Sequence, residues 1–177
     1  MIYTIGHSTR PQRELIDILH HHAILLLVDV RTVPQSRYNP QFNRNELQTA
    51  IPNASIEYLH FPGLGGLRHA TGDSLNTGWK NGGFRGFADY MLTNEFKLAL
   101  ELLLRTAEGK RTAVMCAEAL PQQCHRLLIS DALVAHGVEV THILGTDKTE
   151  AHRMTPFAKV EGTRILYPPT QSTLDFS

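Results

Sequence analysis

The chain lacks an excess of charge of either sign. Lys+Arg and Asp+Glu both number 17, so the broad basic field that grips duplex DNA through its phosphates is excluded. It has only two cysteines in 177 residues. A chain of that length buries a core without disulfides or metal staples. No apolar run approaches the ~18 residues of a membrane span, and the opening Met1-Ile2-Tyr3-Thr4 is strand-like where a signal peptide would be basic and then apolar. A cytoplasmic location is expected, where the two thiols stay reduced. Repeats, low-complexity tracts and a second domain boundary are also missing. One domain over residues 1–170 with a frayed tail at 171–177 is expected.

What is present alternates between strand and helix. MIYTIG, AILLLVDV, SIEYLHF, TAVMC and VEVTHIL are five runs of strand length. AILLLVDV is apolar on both faces, the mark of a central parallel strand. Thr9 with Gln12 reads as a capping box for a first helix. Further helices are expected over Arg44–Ala50, Gly86–Leu92, from an Asn94 cap toward Gly109, and over Gln122–His136. Glu161-Gly162 marks a small hairpin. The expected fold is α/β, a single three-layer domain with a mostly parallel sheet of about five strands plus that C-terminal hairpin.

Ligands of open α/β sheets bind outside the carboxyl ends of the strands. The first strand exits into His7-Ser8 and the second into Asp29 and Arg31. The third leads to Gly65-Gly66, and the fourth exits into Cys116 and Glu118. Both cysteines, a His, an Arg and a Glu share the stretch CAEALPQQCHR. If Gln122 to Arg126 is the first turn of a helix, its free N–H groups draw anions and lower the pKa of Cys124, with Arg126 adding fixed charge. His125 and Glu118 are candidates for proton transfer. The layout is similar to cysteine phosphatases and sulfurtransferases, but nine residues separate Cys116 from Arg126 and Pro121 interrupts them, which excludes that tight phosphate loop. The glycine-rich stretch 62–84 has no G-K-[ST], so it is not a Walker A loop.

Each of these residues also has a plainer use. His7-Ser8 can cap a helix, Asp29 and Arg31 can form a structural ion pair, and Gly65-Gly66 can make a turn. Either cysteine can be a small core residue. The run His20-His21-His22 lacks the i, i+4 pairing of a helical metal site. A set of Cys116, Cys124 and His125 lacks an evident fourth metal ligand. Tyr38, Phe42, Trp79 and Phe84 lie among Arg37, Arg44 and Arg85, a mixture that clamps single strands or bases in other proteins and packs on sheet edges just as readily. Twelve of the 17 basic residues are arginine, the better fork for phosphate and carboxylate.

In order along the chain, TIGHS, LVDVR with P-x-SR, LGG, FADYM, and MCAE with P-x-x-CHR-x-LI resemble the DUF488 family, and TPFA and LYP fit it too. The resemblance implies a compact α/β domain. It marks His7, Ser8, Asp29, Arg31, Ser36, Arg37, Gly65, Gly66, Cys116, Glu118, Cys124, His125 and Arg126 as the site, and it implies no reaction and no cofactor. The reading that follows is an enzyme for a small anionic substrate, phosphate- or nucleotide-like. Cys116, Glu118, Cys124, His125 and Asp29 would do the chemistry, and His7, Ser8, Arg31, Ser36, Arg37, Gly65, Gly66 and Arg126 would bind. The alternatives are a non-catalytic binder of nucleic acid or nucleotides, and a redox or metal-dependent thiol protein.

Overall fold

In the computed structural model, which describes residues 1–169, six strands form one sheet in the order β3-β2-β4-β1-β5-β6. The five expected strands are β1 (Ile2–Gly6), β2 (Leu26–Asp29), β3 (Glu57–His60), β4 (Thr112–Cys116) and β5 (Val140–Ile143). All are parallel to their neighbours. The sixth, β6 (Thr149–Ala151), pairs antiparallel with β5 and was not expected. It is three exposed residues, Thr-Glu-Ala, without the apolar pattern that reveals a strand. The hairpin pairs β7 (Lys159–Glu161) with β8 (Arg164–Leu166), and Gly162 turns it at φ 63°, a conformation glycine adopts without strain. The expected tail at 171–177 lies outside the described residues.

Five helices cover the sheet: α1 (Gln12–His21), α2 (Arg44–Asn53), α3 (Gly82–Tyr90), α4 (Asn94–Thr106) and α5 (Arg126–Ala135). Strand side chains alternate between faces. Tyr3, Ile5, Leu27, Ala113 and Met115 pack with Leu15, Ile18 and Leu19 of α1 and Leu47 and Ile51 of α2. Ile2, Leu26, Val28, Val114 and Cys116 pack against α3, α4 and α5 on the opposite face. None of these helices is long and apolar enough to cross a membrane.

Besides α3, which begins at Gly82 under an Asn81 cap and not at the expected Gly86, three helix starts differ from expectation. α1 begins after Pro11, with no side-chain cap; Gln12, instead of closing a box with Thr9, donates to the Gln41 carbonyl at 2.6 Å. The cap of α4 is Thr93, whose hydroxyl accepts from Phe96 N–H, one residue before Asn94. The third matters most. Pro121–Gln123 form a 3-10 turn, Cys124 is extended (φ −137°, ψ 145°), and α5 starts only at Arg126. Cys124 is therefore not inside a first helical turn.

The glycine-rich stretch is pinned. Thr71 N–H, Ser74 Oγ and Asn76 Nδ2 all donate to Asp89 on α3. Burial alone would raise the Asp89 pKa, but these bonds outweigh it and lower it. Asn76 Oδ1 in turn accepts from Tyr167 N–H.

The order of the strands places the site. β1 and β4 are neighbours. The chain leaves β1 through α1 on one face toward β2, and leaves β4 through α5 on the other face toward β5. The diverging connections leave a crevice at the carboxyl ends of the pair.

Candidate active site

A cleft of about 530 Å³ opens at that crevice. Of the residues expected at a site, His7, Arg31, Ser36, Gly66, Cys116, Glu118, Cys124 and His125 line it. Asp29, Ser8, Arg37, Gly65 and Arg126 do not.

The parallel ladder runs on past the strand ends: His7 N–H donates to Cys116 O and Ser8 N–H to Ala117 O, both at 2.9 Å. Ser8 turns the chain with φ 53° and offers its carbonyl to His7 Nδ1 at 2.8 Å. That bond fixes the tautomer, so Nε2 is an acceptor, and Arg31 Nη1 donates to it at 3.1 Å. The ring stacks on Phe42 with centroids 4.3 Å apart. Burial chiefly, and the Arg31 charge in addition, lower the His7 pKa to about 4 against the pull of the Ser8 bond.

Asp29 lies behind this layer and is fully buried. It grips Arg31 by a fork, Nε to Oδ1 at 2.9 Å and Nη2 to Oδ2 at 2.6 Å. Arg31 N–H and Tyr58 O–H also donate to it. Burial would lower the Arg31 pKa, and the Asp29 bonds and charge outweigh that and raise it. Asp29 is the base of a clamp with its lone pairs engaged, so the structure gives it no access to a substrate in the cleft.

Across the cleft stand the two free thiols. His125 Nδ1 lies 3.8 Å from Cys116 Sγ and 3.6 Å from Cys124 Sγ. Arg126 N–H points at Cys124 Sγ from 3.5 Å, so the start of α5 still reaches that sulfur. The bond from Cys116, together with His125 and the Arg126 charge, pushes the Cys124 thiol below its ordinary range in spite of its burial. The same bond, with burial, pushes Cys116 up. The His125 ring is wedged between Phe87, 5.1 Å away, and Gly66, where an added Cβ would sit 2.5 Å from Nδ1. Gly65 has a different duty: a Cβ there would meet Thr32 Oγ1 at 2.3 Å.

Arg126 points into the protein and is 1% exposed. Nη2 donates to the Glu118 carbonyl and Nη1 to Thr4 Oγ1. From Thr4 a buried chain continues to His142 (2.7 Å), His152 (3.0 Å) and Asp131 (2.8 Å). Arginine only donates and a carboxylate only accepts, and a chain of bonds running one way from Arg126 to Asp131 satisfies every link. Thr155 and Tyr167 also donate to Asp131. Burial, with the His152 and Arg126 charges adding, lowers the His142 pKa to about 4 against the pull of Asp131. This network was missed at the level of sequence. Its only trace is His142 in an inward position of VEVTHIL.

A pH prediction follows. His7 and His142 have folded pKa values of about 4, below the unfolded ~6.5. The unfolded chain therefore takes up protons first, and stability present at neutral pH drains away as pH falls from ~6.5 toward ~4. At pH 5 each histidine is expected to cost on the order of 1–2 kcal/mol, for a combined fall in Tm of roughly 5–10 °C. Melting curves at pH 7 and pH 5 check this. His142→Gln should remove about half of the difference.

Glu118 has an exposed side chain that lines the cleft. Ser36 Oγ accepts from Tyr38 and Asn39 N–H, shaping its own loop, and Arg37 is exposed beyond the rim. Gln35, Asn39, Asn81 and Gln123 also line the cleft and were not singled out from the sequence. Asn81 alone left a signal there, as the cap of α3.

Most of the aromatic residues are used for packing. Phe42 is buried, and Trp79 packs on Phe84, Phe157 and Tyr167. Tyr38 is 95% exposed, and Phe84, beside Trp79, also lines the cleft. His20, His21 and His22 go to three separate partners, Ala54 O, Asp147 and Gly145 O.

Among the described residues, Cys116, Cys124 and His125 form the one group of three that could hold a metal ion, with ligand atoms within 4.8 Å of one another. Searches of curated proteins and of solved structures found no match. The family model described as "Domain of unknown function DUF488" matches residues 11–133, a span holding both thiols, the Asp29–Arg31 clamp and Glu118, and the chain belongs to that family.

Proposed function

We propose that the protein is an enzyme acting on a small, anion-bearing substrate in the cleft between the ends of β1 and β4. The observation that carries this is the meeting of a depressed thiol, a second thiol, His125 and Glu118 on one cavity of small-molecule size. Cys124 with His125 is the reactive centre. Glu118, exposed to the cavity, moves protons. Arg31 is the guanidinium among the lining residues. Its Nη1 donates to His7 and carries a second hydrogen for a ligand oxygen. Side-chain amides of Asn39, Asn81 and Gln123 supply neutral donors around it.

A panel of nucleotides, sugar phosphates and small carboxylates, scored by thermal shift and then by turnover, tests the reading. At least one member is expected to bind and be converted. Cys124→Ser and Glu118→Gln, each confirmed as folded, should cut that turnover by about 100-fold or more. A panel with no ligand, or variants that turn over like the parent, would overturn it.

A further inference from the structure

We propose that Cys116 Sγ, Cys124 Sγ and His125 Nδ1 bind one Zn²⁺ ion, leaving its fourth coordination position open to the cleft. The distances carry the argument first. With Zn–S of ~2.3 Å and Zn–N of ~2.05 Å at a tetrahedral angle, sulfur and nitrogen ligands sit ~3.6 Å apart. The two S···N separations are 3.6 and 3.8 Å. One ring nitrogen faces both sulfurs, and a single N–H cannot serve two acceptors well at that range. A cation between the three atoms satisfies all of them.

The ligands are also held in place. Cys116 is the last residue of a fully buried central strand. Cys124 Sγ accepts from Arg126 N–H, the kind of outer contact that orients a thiolate ligand. Packing between Gly66 and Phe87 sets the His125 ring, and its Nε2 is buried without a protein partner. The extended Cys124, which breaks the run into α5, sets its side chain beside both Cys116 and His125.

Three protein ligands with an open position mark a catalytic zinc site, whereas structural sites are closed by four. Glu118 and Gln123 line the same cleft as this group. This rests on the reading that the cleft is the working site; with the ion bound, Cys124 and His125 act there as its ligands and the open position becomes the reactive centre. Arg31 is largely neutralised by Asp29, so the cleft's own residues offer little positive charge. A bound Zn²⁺ draws an anionic oxygen of the substrate to the open position, and Glu118 is placed to take a proton from water or substrate there.

The test is metal uptake by the whole chain. Protein freed of metal by a chelator and titrated with Zn²⁺ is expected to take up one equivalent. Co²⁺ in its place should give a thiolate-to-cobalt charge-transfer band and the intense visible bands of a tetrahedral site. Cys116→Ser, Cys124→Ser and His125→Gln should each weaken uptake by about 10-fold or more. Absence of saturable uptake, a Co²⁺ spectrum without charge transfer, or uptake unchanged in Cys116→Ser/Cys124→Ser overturns the proposal, and the Co²⁺ spectrum needs no variant to fold. Loss of turnover in Glu118→Gln without metal uptake would sink the zinc site alone. Metal uptake by a protein that converts no panel member would sink the enzyme alone.

Discussion

Replacing Arg126 with methionine is expected to destabilise the fold by about 3–5 kcal/mol, the range for stripping one partner from a buried charged network. Methionine fills much of the arginine stem's volume, so lost packing is the lesser part. The guanidinium makes hydrogen bonds to Thr4 Oγ1 and to the Glu118 and Ala119 carbonyls, and among the described residues it is in no salt bridge. Its hydrogen-bonded link to a carboxylate is to Asp131, through Thr4, His142 and His152. Removing the positive end leaves the Glu118 and Ala119 carbonyls without this donor and takes the cation from the far end of the relay that ends on Asp131. Urea unfolding at unchanged m measures the loss, and a loss under about 1 kcal/mol would refute the charge argument. The variant should also raise the Cys124 pKa, since the Arg126 charge helps to lower it. Arg126→Lys keeps the charge without the planar fork and should fall between the two.

Gly6→Ala is expected to be as damaging, for a steric reason. A Cβ at this position would lie 1.8 Å from the Glu118 carbonyl oxygen and 2.6 Å from its carbon. These are backbone atoms, so no side chain can swing aside. Gly6 pairs in register with Cys116, and the ladder continues through His7 and Ser8, pressing residues 117–119 onto β1. An added methyl must push that segment off. It breaks the continuing ladder and the Arg126–Glu118 bond, and it moves both Cys116 and the Glu118 side chain. A loss of about 3 kcal/mol or more is expected, together with loss of ligand response even in the cold, where the protein stays folded. Gly72→Ala, with nothing within 4 Å of its Cβ, is the control and should leave both unchanged. A Gly6→Ala protein that melts like the parent would mean the 117–119 segment yields freely.

The sheet could be read in advance because its inner strands are apolar on both faces, as in Leu26-Leu27-Val28. β6 could not, because an exposed edge strand needs no apolar residue. Pro121 normally marks the first turn of an α-helix. Here it opens a 3-10 turn that ends in an extended Cys124, and local propensity does not distinguish the two. The strand-exit rule named His7, Arg31, Cys116 and Glu118 as neighbours, and these four line one cleft. The rule says where a residue's backbone sits and not which way its side chain turns. Hence Asp29 and Arg126, expected to face the cleft, lie beneath it as supports. The buried relay was hidden for a related reason: Thr4 and His142 touch across 138 residues of chain, and His142 lies outside every motif, while Thr4 enters TIGHS as a strand residue with no partner visible in the sequence.

The match to the family stops at residue 133, whereas His142, His152, Thr155 and Tyr167 lie beyond it. His152, Thr155 and Tyr167 hold the negative end of the relay, and Tyr167 also ties down Asn76 of the glycine-rich stretch. Kinship and self-sufficiency therefore have different borders in this chain. A fragment trimmed to residues 11–133 would lose β1 and the cleft residue His7 at one end, and at the other the donors that hold Asp131 and the rim in position.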